Sequence, residues 1–108
     1  MLRIYSVALE MCRDAAVIAR EIEKHDKDLA NQLRRAAPSV ALNIAEGSGA
    51  MGGNRRQRYH SAMGSAYEVG ACYDCAEAMQ YVERIAGEAR SRQSHVLATL
   101  VKVLALGR

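Results

Sequence analysis

Apolar residues recur every three or four positions along most of the chain, which is the spacing of one face of an α-helix. In the first segment, residues 4–23, the apolar positions are Ile4, Ala8, Met11, Ala15, Ile18 and Ile22. A charged connector follows, in which Asp26 is placed to accept hydrogen bonds from the first free amide groups of a second helix. The pattern therefore predicts a helix over 4–23 and a second helix that begins near residue 27.

The second segment, residues 27–46, has an apolar stripe and a separate polar stripe. Ser39, Asn43 and Glu46 follow one another at spacings of four and three, so a helix places all three on one face. Pro38 lies inside the segment, where it removes one backbone hydrogen bond at a cost of about 3 kcal/mol if uncompensated. We expect either a bend at Pro38 or a separate short turn of helix before it. A glycine in the left-handed conformation is expected to close the helix within residues 47–49.

Two further helices are predicted over residues 55–83 and 88–106. One stripe of the third helix consists of Tyr59, Met63, Ala66, Gly70, Tyr73 and Glu77. A second apolar stripe lies beside it, which is typical of a helix buried on two sides. Glycines inside a helix cost about 0.5–1 kcal/mol relative to alanine, so we expect a neighbouring backbone to approach closely at Gly64 and Gly70. The predicted fold class is all-α, an up-and-down four-helix bundle that forms one domain over residues 1–108.

Composition adds an expectation about assembly. Half of the residues are hydrophobic, but the chain has no Trp or Phe and its apolar set is dominated by alanine. Alanine buries less area than leucine does, so we expect a marginally stable monomer that gains from forming a homo-oligomer. Charged residues interrupt the apolar N-terminal segment, and neither a signal peptide nor a membrane span is expected there. We therefore expect a cytoplasmic protein without membrane contact.

The chain shows little sign of catalytic or metal-binding residues. Cys72 and Cys75 form a C-x-x-C pair in the middle of a predicted helix, where small buried residues are expected and a redox pair is not. The three cysteines are expected to be reduced thiols. The Glu-x-x-His motif of di-metal bundles does not occur in the sequence, and Gly52 and Gly53 do not have the spacing of a nucleotide-binding loop. We expect no cofactor, no metal and no enzymatic activity.

Positive charge is concentrated between residues 34 and 60, where five arginines accompany a single acidic residue. These arginines are Arg34, Arg35, Arg55, Arg56 and Arg58. The last three begin the predicted third helix and precede Tyr59, so positive side chains, free amide groups and an aromatic ring occur together. Phosphate oxygens bind such cations and amides, and an unpaired base can stack on the ring. These six residues are predicted to bind RNA or DNA with low specificity, unless they form an ordinary solvated helix start.

The block Asn43-Ile44-Ala45-Glu46-Gly47, with Ser39 before it and Gly64-Ser65 and Glu68 after it, resembles a pattern known from a bacterial family of small four-helix-bundle proteins. That family includes proteins encoded in intervening sequences of large-subunit ribosomal RNA genes. It is related to the accessory variability determinant of diversity-generating retroelements. The resemblance implies an up-and-down bundle, assembly into a ring of five subunits, and the nucleic-acid binding of the retroelement relatives. It does not imply an enzyme.

The polar residues of this motif have two interpretations. They form either a small binding site between the second and third helices or a hydrogen-bonded network that fixes helix register, and we favour the network. Asn43 is expected to bond the backbone group that Pro38 leaves unpaired. Glu46 is unfavourably placed near a helix C-terminus, so we expect a cation from Arg34, Arg35 or the start of the third helix to compensate it. The predicted function is a non-enzymatic nucleic-acid-binding accessory protein; the alternative is a protein-binding adaptor, for example for a reverse transcriptase.

Overall fold

The computed structural model describes residues 3–107, which form four helices joined by short turns. They are α1 (Ile4–Glu23), α2 (Lys27–Ser48), α3 (Gly52–Ala78) and α4 (Gly87–Ala105). Each helix packs against the next along the chain, and α1 also packs against α4. Residues 3–107 contain no strand, and they form an elongated bundle of 43 × 22 × 19 Å. The predicted all-α, up-and-down four-helix architecture is confirmed.

The first half of the bundle follows the sequence pattern closely. The bounds of α1 are those predicted, and Asp26 caps α2 by accepting a hydrogen bond of 2.9 Å from the Leu29 amide. Helix α2 continues through Pro38, so the separate turn considered before that residue is wrong. Pro38 is exposed, so it lies on the solvent side of α2. The left-handed closure expected at residues 47–49 is also wrong, because Gly49 has φ −90°.

Helix α3 begins and ends earlier than the pattern predicts. Gly52, with φ +59°, starts the helix inside the segment that was expected to be a loop. At the other end, Gln80 takes the left-handed conformation with φ 62°. The amides of Tyr81 and Val82 then both bond to the Ala76 carbonyl, at 2.9 and 3.4 Å. This closure converts the last predicted turns of α3 into the connection to α4.

The core consists mostly of small side chains. Eleven of the twenty-five buried hydrophobic residues in the described part of the chain are alanines, so the helices bury little area per residue. The largest fully buried side chains are Tyr73, Met11, Ile22, Leu33, Ile44 and Leu100. No helix within residues 3–107 combines the length and the apolar character that crossing a bilayer requires.

Polar contacts fix α4 against its neighbours. Glu77 of α3 accepts hydrogen bonds from the Ile85 amide (2.8 Å) and from Arg90 (2.7 Å), which together hold the pKa of this carboxyl below its usual range. Arg92 donates two hydrogen bonds to Asp14 of α1, at 2.7 and 2.8 Å. These charged groups lie at the edges of the helix interfaces, and the apolar side chains lie between them.

Gly70 of α3 leaves space for a side chain from α4. The buried Gln93 donates a hydrogen bond of 3.0 Å from Nε2 to the Ala66 carbonyl, and this amide lies over Gly70. A Cβ atom at Gly70 would stand 2.7 Å from Gln93 Nε2. The backbone approach predicted at the α3 glycines is therefore wrong for Gly70, where a side-chain amide fills the space. The prediction is also wrong for Gly64, where a Cβ atom would meet nothing within 4 Å and no neighbouring backbone approaches.

Candidate functional site

Part of the polar motif forms a hydrogen-bonded network between α2 and α3. The Ser39 and Ser65 hydroxyls are 2.8 Å apart and join the two helices. Asn43 donates from Nδ2 to the Ser39 carbonyl (2.9 Å) and to the Ser39 hydroxyl (3.2 Å). The partner expected for Asn43 is wrong, because Pro38 leaves the Arg34 carbonyl unpaired and Asn43 bonds a different one. The contacts of these three residues agree with the interpretation of the motif as a register-fixing network.

Gly47 of the motif is held by the ring of Tyr59. Both residues are buried, and a Cβ atom at Gly47 would lie 2.5 Å from Tyr59 Cε1 and 2.7 Å from Cδ1. Only glycine fits this contact without displacing the ring. Tyr59 is 3% exposed, so its ring is unavailable for stacking on a base, contrary to its predicted role.

The two acidic residues of the motif lie outside the network. Glu46 pairs with Arg58 at 3.1 Å, with the two side chains 54% and 53% exposed. The start of α3 therefore supplies the cation that Glu46 was expected to need. Glu68 is half-buried one turn beyond Ser65, and within residues 3–107 it has no hydrogen bond or ion pair through its side chain. The motif thus combines a seam of polar contacts with an exposed ion pair.

These environments predict different costs for removing two motif side chains. Asn43→Ala should lower the free energy of unfolding by about 0.5–1.5 kcal/mol, because it removes part-buried hydrogen bonds. Glu46→Ala should change it by at most about 1 kcal/mol, because exposed ion pairs contribute little. Urea unfolding followed by circular dichroism measures both values. An equal or larger loss for Glu46→Ala would contradict the assignment of the network.

The arginines at the start of α3 are engaged in structural contacts. Arg55 Nε donates to the Ala50 carbonyl at 3.0 Å, and Arg56 Nη1 donates to the Leu104 carbonyl at 3.1 Å. The Leu104 carbonyl lies in the last turn of α4 and also accepts a hydrogen bond of 3.1 Å from the Gly107 amide. Arg58 pairs with Glu46, as described above. All three guanidinium groups therefore already have partners within the chain.

Arg34 and Arg35 lie away from these residues. Gly47 lies twelve positions after Arg35, which is a distance of about 18 Å along α2, and Gly47 packs beside the start of α3. Arg34 pairs with Glu23 at the end of α1. It lines a shallow hollow together with Arg20, Glu23 and Lys24. The structure therefore groups Arg34 with cations of α1 and does not bring the predicted arginines together.

Two further exposed cations lie on α1, outside the predicted site. Arg13 and Arg20 are exposed and lie seven residues apart, so they share one face of α1 on the outside of the bundle. That spacing was visible in the sequence. In the sequence, the acidic residues Glu10 and Asp14 lie close to Arg13 and mask its charge. In the structure, both carboxylates lie near Arg92 instead, at 3.9 and 2.7 Å.

The cysteines have the environments of unreactive thiols or of surface residues. Cys12 is half-buried, Cys72 is buried and Cys75 is exposed. Cys75 is thus not the core residue that was expected. Burial, with a smaller contribution from Glu68, raises the pKa of Cys72 to about 11, so this thiol stays protonated at neutral pH. In the part of the chain that the structure describes, no three His, Cys, Asp or Glu residues are grouped to hold a metal ion.

Comparison with known proteins identifies one family. The sequence model of the family described as 23S rRNA-intervening sequence protein matches residues 1–102. Neither the curated proteins nor the solved structures gave a match.

Proposed function

Because the chain belongs to the 23S rRNA-intervening sequence protein family, we propose that it is a non-enzymatic accessory protein that binds nucleic acid. The family name links its members with ribosomal RNA genes, and a polyanion is the partner that exposed cations favour. The observation that carries the proposal is that Arg13, Arg20 and Arg35 are exposed and form no ion pair within residues 3–107. Such cations remain available for phosphate oxygens.

The active form in this proposal is a homo-oligomer, and the resemblance of the N-I-A-E-G block indicates five subunits. An alanine-rich core supports assembly, because each subunit buries little apolar area of its own. Large apolar side chains also remain in contact with water, including Val17 (54% exposed), Leu42 (61%) and Tyr67 (56%). Five copies of one weak site on a ring would bind a long polyanion much more tightly than one copy does.

The proposal is tested by measuring mass and binding in the same buffer. Light scattering should give about five times the 11.8 kDa mass of one chain. Fluorescence anisotropy should show that the oligomer binds an RNA duplex and a DNA duplex at low salt with little sequence preference. Failure to bind either nucleic acid at low salt would refute the proposed function whatever the mass.

The alternative is a protein-binding adaptor that contacts an acidic or apolar partner such as a reverse transcriptase. The exposed apolar side chains favour it, since such residues often mark protein interfaces. Stoichiometric binding of a purified reverse transcriptase by a protein that binds no nucleic acid would support this alternative. The three free cysteines agree with a reducing compartment, and we propose a cytoplasmic location for either function.

A further inference from the structure

We infer that the surface that contacts nucleic acid is the outer side of the α1–α2 pair, and that its partner is the phosphate backbone of a duplex. We call this surface the α1–α2 basic face. It consists of Arg13, Arg20, Lys24, Lys27 and Arg34, all of them exposed. The inference rests on the proposed nucleic-acid binding and replaces the start of α3 as its location.

The α1–α2 basic face contains two rows of cations. Arg13 and Arg20 are seven residues apart on α1, and Lys27 and Arg34 are seven residues apart on α2. Seven residues are about two helical turns, so each row presents its two charges on one side at a spacing of about 10 Å. Arg34 and Arg20 line the same hollow, so the two rows meet at this point.

The acidic residues near this surface leave it with excess positive charge. Glu21 pairs with Lys24 at 3.1 Å, and Glu23 pairs with Arg34. Both pairs are exposed, and such pairs contribute little, so a phosphate can replace the carboxylate at small cost. Arg13, Arg20 and Lys27 form no ion pair within residues 3–107. Three of the five cations of this surface therefore have no ion-pair partner within residues 3–107, and the other two are held only by exposed pairs.

The start of α3 is less suited to binding phosphate groups. Arg55 and Arg56 donate to backbone carbonyls, and Arg58 pairs with Glu46. A phosphate there would compete with hydrogen bonds that hold the ends of α2 and α4. Binding at the α1–α2 basic face leaves these contacts unchanged.

The two helices that form the α1–α2 basic face offer little for bases to stack on, because α2 contains no aromatic ring and Tyr5 of α1 is half-buried. This favours a duplex over a single strand. Single strands are held largely by stacking of their bases on aromatic side chains. Tyr59 is buried, and His25, between α1 and α2, is already stacked on Tyr81 with ring centroids 5.4 Å apart. A duplex needs no such ring, because its outer surface offers rows of phosphates to a pattern of cations.

The test compares two double variants that change the net charge equally. Arg13→Glu with Arg20→Glu reverses two charges of the face, and Arg84→Glu with Lys102→Glu reverses two exposed cations elsewhere. We expect the first variant to bind an RNA duplex at least about tenfold more weakly than the second at equal salt. Arg13→Ala with Arg20→Ala should reduce the magnitude of the salt slope by about two.

Further arms separate this inference from the proposed function. The triple variant Arg55→Ala, Arg56→Ala, Arg58→Ala should retain more duplex binding than Arg13→Glu with Arg20→Glu. The opposite order, or equal binding by the two charge-matched variants, would overturn the location while nucleic-acid binding stands.

Tighter binding of wild type to a single strand than to a duplex would overturn the duplex assignment. A change of mass in the Arg13→Glu, Arg20→Glu variant would show that the face is buried between subunits, which also overturns the inference. No binding by wild type would refute the proposed function itself.

Discussion

Replacing Tyr59 with alanine should lower the free energy of unfolding by about 3–5 kcal/mol, the usual cost of removing a buried aromatic side chain. The ring is 3% exposed and packs directly on Gly47, so its loss opens a cavity at the α2–α3 contact. Because small domains have only about 5–15 kcal/mol of stability, the variant should unfold at a much lower urea concentration. Urea unfolding followed by circular dichroism gives the value.

Tyr59→Phe is the matched control for this prediction. It keeps the ring and removes a hydroxyl that is 3.5 Å from the Ser48 hydroxyl, at the limit of a hydrogen bond. Its stability should therefore be close to that of wild type. A Tyr59→Ala protein with wild-type stability and weakened RNA binding would instead restore the stacking role that the sequence predicted for this residue.

Gly70→Ala should destabilise the wild-type protein and stabilise a Gln93→Ala variant. In the wild type, the new Cβ atom would stand 2.7 Å from Gln93 Nε2 and displace its hydrogen bond to the Ala66 carbonyl. We expect a net loss of about 1–3 kcal/mol, from overpacking and from the displaced polar group. Without the glutamine amide the clash is gone, and alanine should gain about 0.5–1 kcal/mol over glycine in a helix interior.

The four proteins of this cycle are compared by urea unfolding under one set of conditions. The informative result is the sign of the Gly70→Ala effect in each background, because a general preference of α3 for alanine would give the same sign twice. A stabilising effect in both backgrounds would show that the Gln93 side chain moves aside at little cost and that Gly70 has no packing role.

The fold was largely predictable because its elements depend on local patterns. The three- and four-residue spacing of apolar side chains placed α1 at its observed bounds, and the short polar connector located the Asp26 cap. The predictions were wrong where contacts between distant residues, or an unusual backbone conformation, determine where a helix ends. The closure of α3 depends on Gln80 in the left-handed conformation. Glutamine seldom adopts this conformation, and no pattern in the sequence predicts it here.

The candidate site was less predictable because it depends on how helices face one another. The polar seam was anticipated in part, because the spacing of Ser39 and Asn43 places both on one face of α2, and the family resemblance added Ser65. Tyr59 was assigned both to a buried stripe and to a nucleic-acid site, and the contact with Gly47 shows that the stripe was the better guide. Tyr59 was assigned to the nucleic-acid site because it follows three arginines in the chain, and that proximity does not show where the ring lies.

The partners of those arginines also lie beyond what a sequence pattern contains. Arg56 bonds a carbonyl at Leu104, forty-eight positions away, and Arg34 joins a cluster on α1. Neither contact leaves a periodic signal, since each depends on the register between helices. Sequence proximity therefore identified a basic region without showing which of its arginines have partners within the chain.

The proposed nucleic-acid binding is tested by the dependence of RNA-duplex binding on salt, measured for wild-type protein of known mass. If the protein binds phosphates through its exposed cations, the logarithm of the association constant should fall linearly with the logarithm of salt concentration. The slope should correspond to several released counterions. Absence of binding at low salt, or binding that does not change with salt, would contradict a nucleic-acid accessory role based on these cations.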